Sequence, residues 1–421
     1  MPRNEIIAGL DIGSTNVRLV VGQRVGQDDN LHIVGAAEVK SVGINKGVIS
    51  SIEDAVSCIS ACLEKAERMV GQPIQDVWAG ISGSHIISQS SKGVVAVSRA
   101  DGEIREDDVI RAIEAARTVS TPPNYEILHV IPKSFTVDRQ AGIKDPIGMT
   151  GIRVEVDTQI ILGLASQIRN LTKAIYRTTV NIEDLVLSIL ATSEAVLTQR
   201  QKELGSVVVN IGGGNTSLVV FEEGDILHTA VLPIGSEHIT SDLAIGLRVS
   251  IDTAEKVKLE HGAALAKGLT KRDEIDIGEL EGEESNMVSK RYVSEIIGAR
   301  AEEILEKVDN ELKKIDRSGK LPAGVILTGG GAKLPGVVDL AKTKLRLPAS
   351  IGEPINITSA VDKVNDLGFT TAVGLVLWGN QVTQQQGGGS WQQMLSVSTV
   401  KKRAEGLFRK GKNIFKSFRS K

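Results

Sequence analysis

Two short turns rich in Gly, Ser, Thr and Asn stand at matching places in separate halves of this chain. Asp11, Gly13, Ser14, Thr15 and Asn16 fall in GLDIGSTNVRLVVG, and Asn210, Gly212, Gly213, Gly214, Asn215 and Thr216 fall in VNIGGGNTSLVVFEEG. Glycine lets backbone amides approach an anion closely, the hydroxyls of Ser14, Thr15 and Thr216 are further donors, and successive amides form a nest for phosphate oxygens. Two such turns facing each other would clamp a polyphosphate from both sides. The magnesium on a polyphosphate is held by carboxylates, commonly through its retained waters, and Asp11 stands at the entrance of the first turn for that role. Its counterpart 199 positions on is Asn210. An amide there still accepts a bond from a metal-bound water, making it a weak metal-facing group, but it brings no charge to polarise that water. No catalytic residue is assigned. A third Gly-rich turn, Gly329, Gly330 and Gly331 after the apolar run VILT, is suited to close backbone approach to a ribose or a base.

Elements must hold these turns in place. Ile6–Ile12, Val17–Arg24 and Leu31–Glu38 read as an antiparallel meander, and VVVNIGGGNTSLVVFEEGDILHTAVLP repeats the plan, an internal duplication in kind. Between the copies, Ile52, Val56, Ile59 and Leu63 mark an amphipathic helix ending before Gly71, with the buried strand DVWAGIS after it. Residues 83–165 change character: strand-like VVAVS, a helix from Asp107 to Arg117, Pro122 and Pro123, then EILHVIP and KSFTVDR as two strands. They read as an inserted subdomain. Helical stretches from Ala254 to Gly262 and from Val293 to Lys314 precede the third turn. The body closes near Trp378, and NQVTQQQGGGSWQQ reads as a Gln/Gly linker unable to pack.

A chain of 421 residues exceeds one hydrophobic core, and its six Phe, three Tyr and three Trp leave Ile, Val, Leu and Ala to build several. The net charge of -3 conceals a polarity: residues 400–421 hold nine Lys or Arg against Glu405, so residues 1–399 carry -11. The body is not expected to bind nucleic acid. In the tail, Val400, Ala404, Leu407, Phe408, Gly411, Ile414, Phe415 and Phe418 recur at three- and four-residue spacing, and Lys401, Lys402, Arg403, Arg409, Lys410, Lys412, Lys416 and Arg419 take the other faces. That pattern suits a helix lying in an anionic bilayer interface. A helix docked on the body, or a basic tail for nucleic acid, are the other readings. Cys58 and Cys62, with no partners at metal-ligand spacing, read as packed reduced thiols, and the six His are given no role. Charged Arg3 and Glu5 at the start and the lack of a long apolar run lead to the expectation of a cytoplasmic chain.

GLDIGSTNV, VNIGGGNTS and VILTGGGAKLPG resemble the two phosphate loops and the adenosine loop of the superfamily of actins, heat-shock chaperone ATPases and sugar kinases. INKGVISSIEDAV, AGISGSHI, EILHVIPKSFTVD, IKDPIGMTGIRVEVD and LPIGSEHITSDLAIGL narrow the resemblance to the bacterial actin-like cell-division family FtsA, from about residue 5 to the end. The resemblance implies an α/β, two-lobed actin-like ATPase fold with an FtsA-type inserted subdomain and a C-terminal amphipathic helix. Residues 1–82, 166–203 and 360–380 would form the core of the first lobe, with 83–165 inserted. The second-lobe core would be 204–250 with 315–359, followed by a small subdomain at 251–314, a linker at 381–399 and a membrane-targeting helix at 400–421. It implies ATP with magnesium as the ligand, and, since the second loop of the superfamily usually starts with Asp where this chain has Asn210, slow or absent hydrolysis; it implies Glu255 and Lys258, in AEKVK, as adenosine contacts, against the alternative of a solvated helix pair. It further implies head-to-tail filaments, other division proteins as partners, a place at the cytoplasmic membrane face of the division site, and binding of the C-terminal peptide of the tubulin-like FtsZ. Arg300, in GARAEEIL, would meet that peptide with help from Lys290 and Arg291. A pilus-assembly ATP-binding protein shares the loops but not the tail, and a kinase of the superfamily would need a catalytic base that is not evident.

Overall fold

The computed structural model describes residues 6–25, 30–118, 121–270, 272–278, 285–355 and 357–385. The tail residues singled out above, Lys402, Arg403, Leu407, Phe408, Arg409, Lys410, Lys412, Ile414, Phe415, Lys416 and Phe418, lie outside them.

Two sheets of one plan carry the two halves. In the first, Asn30–Lys40, Asn16–Val25 and Ile6–Ile12 run antiparallel, followed in parallel by Asp76–Ile81 and Asn181–Leu187, with the short Thr358–Ser359 at the other edge. In the second, Asp225–Leu232, Thr216–Glu222 and Ser206–Ile211 run antiparallel, followed in parallel by Gly324–Thr328 and Ala349–Ile351. The registers coincide: Asp11 pairs with Arg18 and Ile12 with Val17, as Asn210 pairs with Ser217 and Ile211 with Thr216. The duplication read in the sequence is therefore a duplication of backbone.

Why these segments become central strands follows from their composition. Val207, Val209 and Ile211 point into one core and Val208 into another, so an unbroken apolar run is covered on both faces. The helix Ile52–Val70 starts at Ser51, whose side chain accepts from the Asp54 amide, carries Glu53 and Asp54 in its first turn, and stops at Gly71 in the left-handed region. It buries Ala55, Cys58, Ile59, Cys62 and Leu63. Both thiols are free and buried, as expected.

The residues after 83 form a separate four-stranded antiparallel sheet of Ile86–Ala96, Arg153–Leu164, Tyr125–Val137 and Gln140–Ile143, backed by the helix Glu106–Arg117 over its own core of Ile104, Ile113, Phe135 and Val156. One expectation is corrected here. EILHVIP and KSFTVDR are a single strand, because the register shifts by one residue where Thr158 faces Pro132 and Asp157 faces Ser134, leaving Lys133 bulged. A bulge lets proline stay in a strand despite lacking an amide donor. The Lys133 ammonium then reaches the Leu227 carbonyl of the second lobe, 3.1 Å away.

A second correction concerns the linker. The helix Thr370–Gln385 runs five residues beyond the expected end of the body at 380. Val382 packs on the first-lobe core, and Arg24 donates to the side chain of Asn380, at 2.9 Å, and to its carbonyl. Glutamines are adequate helix formers, and composition alone missed the apolar Val382 spaced four residues from Trp378. Among the described residues no helix is long and apolar enough to cross a membrane.

Candidate functional site

A cleft of about 420 Å³ opens where the two sheets meet, and all three Gly-rich turns line it. Each phosphate-type turn closes in the same way: the Gly13 amide donates to the Asn16 carbonyl at 3.1 Å, and the Gly212 amide to the Asn215 carbonyl at 2.9 Å. Asp11, Ser14, Thr15, Asn16, Asn210, Gly213, Gly214 and Asn215 all reach the wall, and Glu255, Lys258, Gly329, Gly330 and Gly331 close the other end. One expected residue falls away. Thr216 is fully buried and its hydroxyl donates to the Ile234 carbonyl at 2.8 Å, because its register position matches that of the core residue Val17. The hydroxyl that faces the cleft from this strand belongs to Ser217, one residue on, since strand side chains alternate between faces.

Several glycines are required for contact between protein parts as much as for access to a ligand. A Cβ on Gly213 would lie 2.0 Å from Thr15 Oγ1 and one on Gly214 would lie 2.8 Å from Ser14 Oγ, so the second turn leaves room for side chains of the first. Gly329 has φ +85°, and a Cβ there would come 2.1 Å from Asn210 Oδ1. Gly330 meets nothing within 4 Å and faces open cleft.

Residues that the sequence reading did not single out complete the end of the cleft formed by the two duplicated turns. The tip of a two-stranded ribbon, Ile44–Asn45 with Val48–Ile49, inserts Gly47 between the turns: its amide donates to Ser14 Oγ at 3.0 Å, and a Cβ on it would touch the Ser82 carbonyl and the Asn215 amide. Ser82 and Ser188 line the cleft from the ends of the two parallel strands of the first lobe. Their position at carboxyl ends of strands is the available signal, but it appears only once strand order is known. Glu237, in the first turn of the helix Ser236–Leu247, accepts from Thr15 Oγ1 at 2.9 Å. The amides of Ser236 and Glu237 donate to the carbonyls of Gly212 and Gly213.

The two strand-end polar groups differ electrically. Surrounding protein strips water from the Asp11 carboxylate and pushes its pKa up from 3.8 to about 6, with the nearby Arg18 guanidinium pulling the other way. Arg18 is itself engaged by Glu38 at 2.7 Å and lies over the Phe369 ring. A carboxylate so short of water and countercharge is suited to face a cation, so the residues present fit a magnesium ion arriving with a polyphosphate. No group of three or more His, Cys, Asp or Glu stands together for a metal among the described residues. Asn210 is tied into the structure instead, its amide donating to Thr371 Oγ1 at 3.1 Å.

At the far end Glu255, Lys258 and Thr240 form a closed set: Lys258 Nζ donates to Glu255 at 2.6 Å and to Thr240 at 2.8 Å, and Thr240 donates to Glu255 at 2.5 Å. With Leu259, Ile239, Leu334 and Pro335 beside them, a polar edge meets an apolar slot, an arrangement suited to a small ligand with both apolar and polar surface.

The family model described as "Cell division protein FtsA" matches residues 207–374, and the model "SHS2 domain inserted in FTSA" matches residues 83–162. The "Cell division protein FtsA" of Bacillus subtilis is 38% identical over 387 residues, covering 92% of this chain and 86% of its own. The chain belongs to the FtsA family. It is thus an actin-like cell-division protein whose separate sheet at 86–164 is the FtsA insertion. A solved PilM-PilN type IV pilus biogenesis complex is similar in fold, with TM-score 0.65 at 16% identity, covering 89% of this chain and 98% of that one. MreB5 of Spiroplasma citri bound to ADP is similar with TM-score 0.54 at 13% identity, covering 92% and 100%. In this FtsA-family chain, Arg300 lies mid-way along the helix Lys290–Lys314, held by both oxygens of Asp242, at 2.6 and 2.9 Å, and by Glu303. Lys290 and Arg291 begin the same helix, and Arg291 pairs with Glu295. The three expected peptide-facing cations therefore share one helix, but Arg300 already has acidic partners.

Proposed function

We propose that this chain binds ATP with magnesium between its lobes, assembles head to tail, and attaches FtsZ polymers to the cytoplasmic membrane face at the division site, where it meets other division proteins. The observation that carries the reading is the cleft lined by both duplicated turns and the third Gly turn together. Backbone amides of the two turns would take the phosphates, Asp11 would face the magnesium through water, and Glu255, Lys258 and Gly329 to Gly331 would receive the adenosine. The ion would neutralise phosphate charge. Hydrolysis is weak at most, because Asn210 supplies no charge and is committed to Thr371.

Arg300, with Lys290 and Arg291, would receive the C-terminal peptide of FtsZ. The basic amphipathic segment at 400–421 would lie in the anionic bilayer interface, each copy binding reversibly and a filament holding many at once. The test is flotation with anionic liposomes, with and without MgATP, followed by negative-stain microscopy. Filaments on membrane that need both ATP and the residues after Gly389 are the expected result; protein that stays soluble and monomeric throughout would refute the scaffold.

A further inference from the structure

The hydrogen bond between Thr15 and Glu237 joins residues 222 positions apart and ties the first phosphate-type turn directly to the second lobe. It passes over Gly213, where a Cβ would lie 2.0 Å from Thr15 Oγ1 and 2.8 Å from Glu237 Oε1. This glycine therefore serves the contact between lobes before it serves any ligand. The backbone carrying Glu237 is fixed at that place, its own amide and that of Ser236 donating to the carbonyls of the same turn. No cation is paired with it among the ion pairs of the described residues. A carboxylate is thus held beside both turns whose amides are to receive phosphate.

We propose that Glu237 is a charge gate on the nucleotide site, making polyphosphate entry depend on a divalent cation and taking over, from the second lobe, the anionic character that Asn210 lacks. This rests on the nucleotide reading above. Without the cation, the carboxylate repels the phosphates and keeps the Thr15 hydroxyl engaged as its donor. With it, phosphate charge is neutralised and Thr15 is released to donate to a phosphate oxygen. Asp11 lines the cleft from the first-lobe strand, while Glu237 stands beside the turns from the second lobe through its bond with Thr15, although only one of the duplicated strands carries an acid.

The charge and the contact are separable. Glu237→Gln keeps an oxygen that accepts from Thr15 but removes the charge, whereas Thr15→Val keeps the charge and removes the contact. The experiment is equilibrium titration of the purified full chain with a fluorescent ATP analogue, in magnesium and in EDTA. Glu237→Gln is expected to bind about tenfold more tightly than wild type in EDTA and nearly unchanged in magnesium, collapsing the magnesium dependence. Thr15→Val, which keeps the charge and loses one phosphate donor, is expected to weaken binding in magnesium about threefold and to keep the rest of that dependence. An unchanged ratio in Glu237→Gln would overturn the gate while leaving the nucleotide site standing, and a ratio that collapses equally in Thr15→Val would show that the contact, not the charge, is responsible and overturn it as well. Wild type that binds no analogue in magnesium would overturn the nucleotide reading and the gate with it.

Discussion

The two hairpins share a backbone and differ in what their strand ends do. In the first, Asp11 faces the cleft with its pKa pushed up to about 6, opposite Arg18 across the strand pair. In the second, the same register position is Asn210, bonded to Thr371 and packed against the backbone of Gly329. One copy keeps a charge available for a ligand. The other has turned its position into a joint between the second turn, the third turn and the helix Thr370–Gln385. Duplication fixes where a side chain can stand, and chemistry then diverges without moving the chain.

The joint is the place to break that comparison most severely. Gly329→Ala puts a Cβ at φ +85° into Asn210 Oδ1, and should lower unfolding free energy by about 3 kcal/mol, read from denaturant midpoints. The charged copy is tested by Asp11→Asn. A carboxyl raised from 3.8 in the unfolded chain to about 6 in the folded one keeps its full contribution below pH 4 and loses it as pH rises through 6. The ligand-free variant should therefore exceed wild type at pH 7 by about 1–3 kcal/mol, with the difference vanishing below pH 4, in thermal melts across pH. It should also lose magnesium-dependent tightening of ATP.

Making the copies alike should sharpen the contrast. Asn210→Asp returns a carboxylate to the second strand, and ATP hydrolysis should rise at least about tenfold over wild type in a phosphate-release assay, because the missing charge is what limits activation of water. An unchanged rate would place the limit elsewhere. The smallest effects separate neighbours on opposite faces of one strand. Thr216→Val should cost about 1 kcal/mol of stability and leave ATP affinity alone, whereas Ser217→Ala should weaken ATP about threefold with little change in melting.

Much of this architecture was legible because it is written in local chemistry. Alternating Val and Ile runs, Gly-rich turns and the repeat of strand, turn, strand announced both sheets, and Asp11, Ser14 and Gly330 reached the cleft from their turns alone. Thr216 was misplaced because a list of hydroxyls carries no strand parity, and parity emerges only from pairing Ile211 with Thr216. Glu237, Gly47 and Ser82 had no turn motif of their own in either copy; tertiary packing brings them to the site. Pro132 and the glutamines near 384 misled for the opposite reason, local preference being overridden by a bulge in one case and by packing of Val382 in the other.

The most direct measurement of whether ATP occupies this cleft uses Gly330, where a side chain would project into open space without touching protein. Calorimetric titration with MgATP should give one site per chain in wild type, and in Gly330→Val a binding loss greater than about tenfold with the melting temperature retained. Equal binding by the two proteins, or none by wild type, would contradict the assignment of the cleft as the nucleotide site.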